Sequence, residues 1–252
     1  PNAGVNWFFY DDAIALEVEG KSTSTPDELA WRDILRMLQS HRPDRPIDGV
    51  ILTINCAELI SANQPGSNGE ALLNEKALAW YKRLTLAQKM LEMSFPVYVL
   101  VTKCDQLGGF SDFCSTLKAQ LHSQMQPQDE IVGWSTPSVL EKMPFSPFWI
   151  DEAFRYLKEQ LHSLQLELFA GKVLGISSER MFLFPFKIQS LQKPLGIYLS
   201  QVFRQSALRQ TFAFRGVYFC GDENEEPLFT SFLEDEREAL KTLQTGKQLV
   251  VS

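Results

Sequence analysis

The sequence predicts an α/β fold: a mostly parallel sheet in three layers, with helices on both faces. Three observations lead there. Residues 49–54 and 96–101 are short continuous runs of apolar and β-branched residues, the pattern of strands covered on both faces. Long segments free of Gly and Pro, residues 70–93 and 148–169, read as helices, and strands alternating with helices build parallel sheets. A chain of 252 residues that is 44% apolar, with 18 Phe and 5 Trp, also has enough apolar mass for a sizeable core.

Taken in order, residues 7–10 and 13–18 read as two short strands around the turn signal Asp11-Asp12. Thr25 reads as an N-cap, Pro26 as the first helical residue and Glu28 as the far side of a capping box. Leu29, Ile34, Leu35 and Leu38 give that helix an apolar stripe up to about His41, and the Pro-rich residues 42–46 stop it. After the strand, helix and strand at 49–54, 70–93 and 96–101, helices are expected at 111–123 and 148–169. Residues 180–184 read as a strand, 188–203 as a helix kinked or broken at Pro194, and 216–220 as a strand. This divides the chain into an α/β core at 1–125, an insertion and helical segment at 126–175, a return of the core (strand, helix, strand) at 176–221, and an acidic extension at 222–252. Residues 124–147 are the most irregular stretch and a good insertion site.

Composition excludes several functions. The formal net charge of -7 and a pI near 5.1 argue against a nucleic-acid binder. No apolar run approaches the roughly 18–20 residues needed to span a membrane; the longest, 97–101 and 181–186, are strand-sized. Cys56, Cys104, Cys114 and Cys220 are irregularly spaced with no C-x-x-C pair, so zinc is not indicated; Cys56 and Cys220, in apolar strand-like runs, read as small buried thiols, and a reducing compartment fits. His41, His122 and His162 fall near helix ends or faces, with no nucleophile pattern beside them. Charge is uneven: residues 180–215 hold six basic residues and no acidic one, while 222–238 hold eight acidic residues against Arg237 alone. The ordinary reading is two solvated faces; the alternative is a pair of contact surfaces for charged partners or for each other.

The main chemical signal is Thr102-Lys103-Cys104-Asp105, directly after an apolar strand. It has the [Asn/Thr]-Lys-x-Asp form of the base-reading loop of GTPases, and such loops lie beyond the carboxyl ends of strands in open α/β sheets. There Asp105 would accept hydrogen bonds from a guanine, the Lys103 stem would lie across the base, and Thr102 would fasten the loop. Gly20-Lys21-Ser22 resembles the end of a P-loop only superficially. Ala15 stands where the first glycine belongs, and Glu17 and Glu19 would repel the phosphates. A better alignment sets Glu17-Val-Glu-Gly20 on the switch motif D-x-x-G, with Glu17 facing magnesium and Gly20 the γ-phosphate.

Further residues carry a resemblance. Trp7-Phe-Phe with Asp11-Asp12-Ala13, the run from Trp31 to Leu38, and residues 41–50 all match one family. So do Phe95-Pro-Val-Tyr-Val-Leu-Val-Thr-Lys-Cys-Asp-Gln-Leu-Gly-Gly-Phe110, Val132-Gly-Trp134 and Arg215-Gly-Val-Tyr-Phe219. Over roughly residues 6–220 the chain resembles the IcmF/TssM family of inner-membrane proteins, from type VI and Dot/Icm type IVB secretion systems. The resemblance implies a GTPase-like domain on the cytoplasmic face of the bacterial inner membrane, carried by a larger protein whose transmembrane segments lie outside these residues. It also implies a DotU/TssL-like membrane partner, and contacts to baseplate and other secretion-apparatus subunits. Two departures bear on catalysis: the usual Asp-Thr-Ala-Gly is Glu17-Val-Glu-Gly20 here, and the P-loop segment is missing.

The expectation is therefore a degenerate, P-loop GTPase-like domain acting as a structural and interaction module. It has no catalytic or metal-ligating residue and no cofactor. The alternative is a nucleotide switch or NTPase with its P-loop upstream of Pro1. In it GTP or ATP with magnesium binds at Thr102, Lys103, Asp105, Glu17 and Gly20. In such a sheet the strand before the P-loop is central, so its absence would leave apolar edges on both neighbours. Residues 249–251 are a candidate for a stray strand in that gap.

Overall fold

The computed structural model describes residues 5–18, 25–64, 66–121, 132–170, 178–205 and 211–221. Among the described residues the strands and α-helices follow in this order: β1 (Val5–Phe9), β2 (Ile14–Val18), α1 (Thr25–His41), β3 (Val50–Asn55), α2 (Cys56–Asn63), α3 (Gly69–Leu91), β4 (Pro96–Thr102), α4 (Phe110–Leu121), β5 (Gly133–Ser135), α5 (Phe148–Ala170), α6 (Ser178–Gln189), α7 (Gln192–Val202) and β6 (Ala213–Phe219).

The strands form two sheets. β1 and β2 pair as an antiparallel hairpin, with Trp7 opposite Leu16, and the Tyr10 N–H donates to Ala13 O at 2.8 Å across the Asp11-Asp12 turn. The second sheet runs β3-β4-β6-β5, with β3, β4 and β6 parallel and short β5 antiparallel at the far edge. Its register slips between Val97 and Tyr98, opposite Gly216, so that Phe214, Val217 and Phe219 all reach the core. Gly216, at φ 152°, lies so close to the Trp134 carbonyl that no side chain fits.

One face of this sheet is the floor of the core. Leu52, Ile54, Val97, Val99, Val101, Phe214, Val217 and Phe219 are buried there, in one core with residues of α2, α3, α5 and α7. The other face is open: Ile51 is 65% exposed, Thr53 is exposed, and Tyr98, Leu100 and Tyr218 are half-buried. The chain is thus α/β with a mixed sheet, but the second helix layer is not found among the described residues. The expectation that residues 49–54 are covered on both faces fails for a simple reason. β3 is the edge strand of its sheet, paired only with β4 among the described residues, and no described element covers the face that carries Ile51 and Thr53.

Other expectations also need correcting. Residues 180–184 are not a strand but the start of α6, whose buried Met181, Phe184 and Ile188 recur at helical spacing. Alternating large apolar residues imitate a strand, and Pro185 disguises the helix. Lacking an N–H, Pro185 leaves the Met181 carbonyl without its helical donor. The Gln165 amide of α5 supplies the substitute, donating to Met181 O at 3.0 Å and Phe182 O at 2.8 Å. The return of the core is therefore helix, helix, strand. Pro194 does not kink its helix either; it sits in the first turn of α7, and the break lies at residues 190–191. Leu29 is 67% exposed and lies off the buried stripe of α1. Two elements had no forecast: α2, which follows β3 without a loop, and β5. Asn55 makes α2 possible by capping it, its side-chain oxygen accepting from Ala57 N at 2.9 Å. His122, residues 222–252 and the strand candidate at 249–251 lie outside the described residues.

Candidate functional site

The parallel strands β3, β4 and β6 end side by side, and the loop after β4 sits between its neighbours. The Thr102 hydroxyl donates to Ile54 O on β3 at 3.4 Å. On the other flank the Cys104 N–H donates to Cys220 O at 3.0 Å, and the Cys220 N–H donates back to Val101 O at 2.9 Å. Lys103 turns the chain in the left-handed region, at φ 56° and ψ 40°, and its side chain is exposed. Residues 104–106 then form one 3-10 turn, closed by Leu107 N donating to Cys104 O at 2.9 Å. Thr102, Lys103 and Asp105 are thus brought together on one clamped loop.

Their exposure differs from one to the next. Asp105 is 2% exposed. It packs under the chain leaving β6, where a Cβ on Gly221 would fall 2.7 Å from its Oδ1. Gln106 is also buried, and its side-chain oxygen has no hydrogen-bond partner among the described residues. Only Lys103 points its charge at solvent.

Glu17 is elsewhere. It is exposed on β2 and accepts a hydrogen bond from Asn6 Nδ2 at 2.9 Å across the hairpin. Among the described residues that hairpin shares no strand pairing with the sheet that carries the loop. Gly20 lies outside the described residues.

Three thiols gather around the loop. A hydrogen bond with Cys56, followed by burial and the neighbouring thiols, pushes Cys104 far above the usual thiol range. Burial and the charge of Asp105 push Cys220 up as well. Protonated thiols are poor nucleophiles and poor metal ligands. Among the described residues no cluster of His, Cys, Asp or Glu is arranged to hold a metal.

A cavity of about 830 Å³ was missed by the sequence reading. It lies between the end of α2, the start of α5 and the α6–α7 corner, with Asn63, Gln189, Lys193 and Gln201 among its lining residues. Gln192 donates to Asp151 at 2.7 Å within it, and the Gln189 amide donates to Gln192. The glutamine spacing around residues 189–201 was the available signal.

Fold and loop together define a class: an α/β domain with a T-K-x-D loop at the carboxyl ends of its parallel strands and the carboxylate turned inward. The chain belongs to the family of IcmF-related N-terminal domains, whose model matches residues 24–248. It is 26% identical over 228 residues to the type VI secretion system component TssM1 of Pseudomonas aeruginosa (strain PAO1). The matched stretch is 87% of this chain and 19% of that relative, so the chain spans about a fifth of the relative's length. No solved structure matches it.

Proposed function

We propose that this domain is a component of a type VI secretion apparatus and works as an interaction module rather than an NTP hydrolase. It sits on the cytoplasmic face of the inner membrane. It joins a membrane complex containing a DotU/TssL-like partner to baseplate and other cytoplasmic subunits. Family membership and the similarity to TssM1 support the apparatus. The observation that carries the module reading is the burial of Asp105 beneath Gly221. A carboxylate that reads a base must face the base, and here the backbone of the β6 exit occupies that side. The GTPase-like loop then survives as a joint between β4 and β6, and the nucleotide site is degenerate. Calorimetric titration with GTP and with ATP, with and without magnesium, tests this. The expected result is no heat of binding; magnesium-dependent binding with turnover overturns the reading.

A second reading rests on the open edge of β3. The connection from β2 through α1 to β3 has the form of a crossover, which ordinarily returns to its own sheet. Here it starts in one sheet and ends in another. A strand bearing a P-loop, inserted between β2 and β3, would join the two sheets and bring Glu17 toward the Thr102 loop, with GTP or ATP and magnesium as ligands. An Asp105→Ala protein that binds nucleotide as the parent does removes the base-reading part of that alternative.

A further inference from the structure

The outer surface shared by α5 and α6 is apolar where water would favour polar side chains. Leu166 on α5 is 72% exposed, and Phe182 and Phe186, one turn apart on α6, are 54% and 56% exposed. Phe169 and His162 of α5 face them, with ring centroids 6.4 Å (Phe169–Phe182) and 6.1 Å (His162–Phe186) apart. Gln165 ties the two helices together beneath this patch. On the opposite flank of α6, Arg180 is exposed and Lys187 half-buried.

The chain leaves the sheet beside that cationic flank. A Cβ on Gly221 would lie 3.0 Å from the Phe110 ring. Phe110 meets Phe184 of α6 edge-on at 5.7 Å, and Gly109 packs against the Arg180 carbonyl. The residues that come next have matching chemistry. Asp222, Glu223, Glu225 and Glu226 come first; then Leu228, Phe229, Phe232 and Leu233 fall at a spacing that recurs on one side of a helix; a second acidic run follows at 234–238. The family model extends to residue 248, so this segment belongs to the same domain.

We propose that residues 222–238 dock across α6. Their first acidic residues meet Arg180 and Lys187, and their apolar side chains cover Leu166, Phe182 and Phe186. The order of charge and grease along the chain matches the order met in crossing the surface from the Gly221 exit. The reach is sufficient: the eight residues from Gly221 to Phe229 extend to roughly 26 Å, more than twice the ~10–12 Å diameter of a helix. Burial of the aromatic residues supplies the attraction, and the charges set direction and register.

The test uses the full 252-residue chain with p-benzoylphenylalanine in place of Phe229, irradiated at a concentration low enough to suppress contacts between copies. Cross-links within the chain to residues 162–186 are expected. Their yield should fall several-fold in an Arg180→Glu, Lys187→Glu protein whose circular dichroism matches the parent, and fall again at high salt. Cross-links to the open sheet face, to the hairpin or to a second copy overturn the proposal. So does the absence of any cross-link.

Discussion

The backbone of Gly221 lies directly over the carboxylate of Asp105, the last residue of the T-K-x-D loop. A side chain at position 221 must displace either the loop or the end of β6. Gly221→Val is therefore expected to destabilise the fold by about 1–3 kcal/mol, the usual cost of overpacking. Lys103→Ala, at an exposed side chain of the same loop, should stay within about 0.5 kcal/mol of the parent. Denaturant unfolding of both proteins compares them.

Gln165 stands in for the donor that Pro185 lacks. Gln165→Leu removes the donor shared by the Met181 and Phe182 carbonyls and should cost about 1–3 kcal/mol. Restoring an N–H with Pro185→Ala should recover part of that loss, whereas two unrelated sites would simply add. A double-mutant cycle measures the coupling.

Asn55 joins β3 to α2 with no intervening loop. Asn55→Ala removes the oxygen that accepts from Ala57 N, and the expected cost is about 0.5–2 kcal/mol. Thermal unfolding of Asn55→Asp, which keeps an acceptor, should lie close to the parent.

β3 buries one face only. Ile51→Lys should change stability by no more than about 0.5 kcal/mol, while Leu52→Ala, one residue on, should cost about 2–5 kcal/mol. Equal and large losses at both positions would mean that the open face is covered after all.

Cys104 keeps its proton in the folded chain well above the pH at which an unfolded thiol loses it. The unfolded state then binds fewer protons, so stability should be flat below pH 8.5 or so and decline above it, approaching about 1.4 kcal/mol per pH unit. A Cys104→Ala protein should show a shallower decline. Urea unfolding between neutral pH and pH 10 or so is the measurement.

Much of this fold was legible because its strongest signals are local. The helix period of α1, the long stretches free of Gly and Pro in α3 and α5, the apolar runs of β3 and β4, and the Asp11-Asp12 turn all depend on near neighbours in sequence. What escaped depends on distant ones. α6 holds Pro185 only because Gln165, twenty residues earlier, repairs the helix. β5, three residues long, exists only through its pairing with β6. The candidate site divided in the same way. The T-K-x-D motif and its position after a strand were visible. The inward turn of Asp105 was not, because it depends on Gly221, 116 positions further on.

The edge of β3 has one more consequence. Val50–Asn55 carries no charged residue and no proline, and its register with β4 is unbroken, so nothing on it deters a foreign strand. A solution of this domain alone should grow turbid or form higher-mass species as concentration rises, from a backbone ladder left half-occupied among the described residues. Lengthening the polypeptide to include a strand that caps Val50–Asn55 should raise its solubility without altering a single surface side chain.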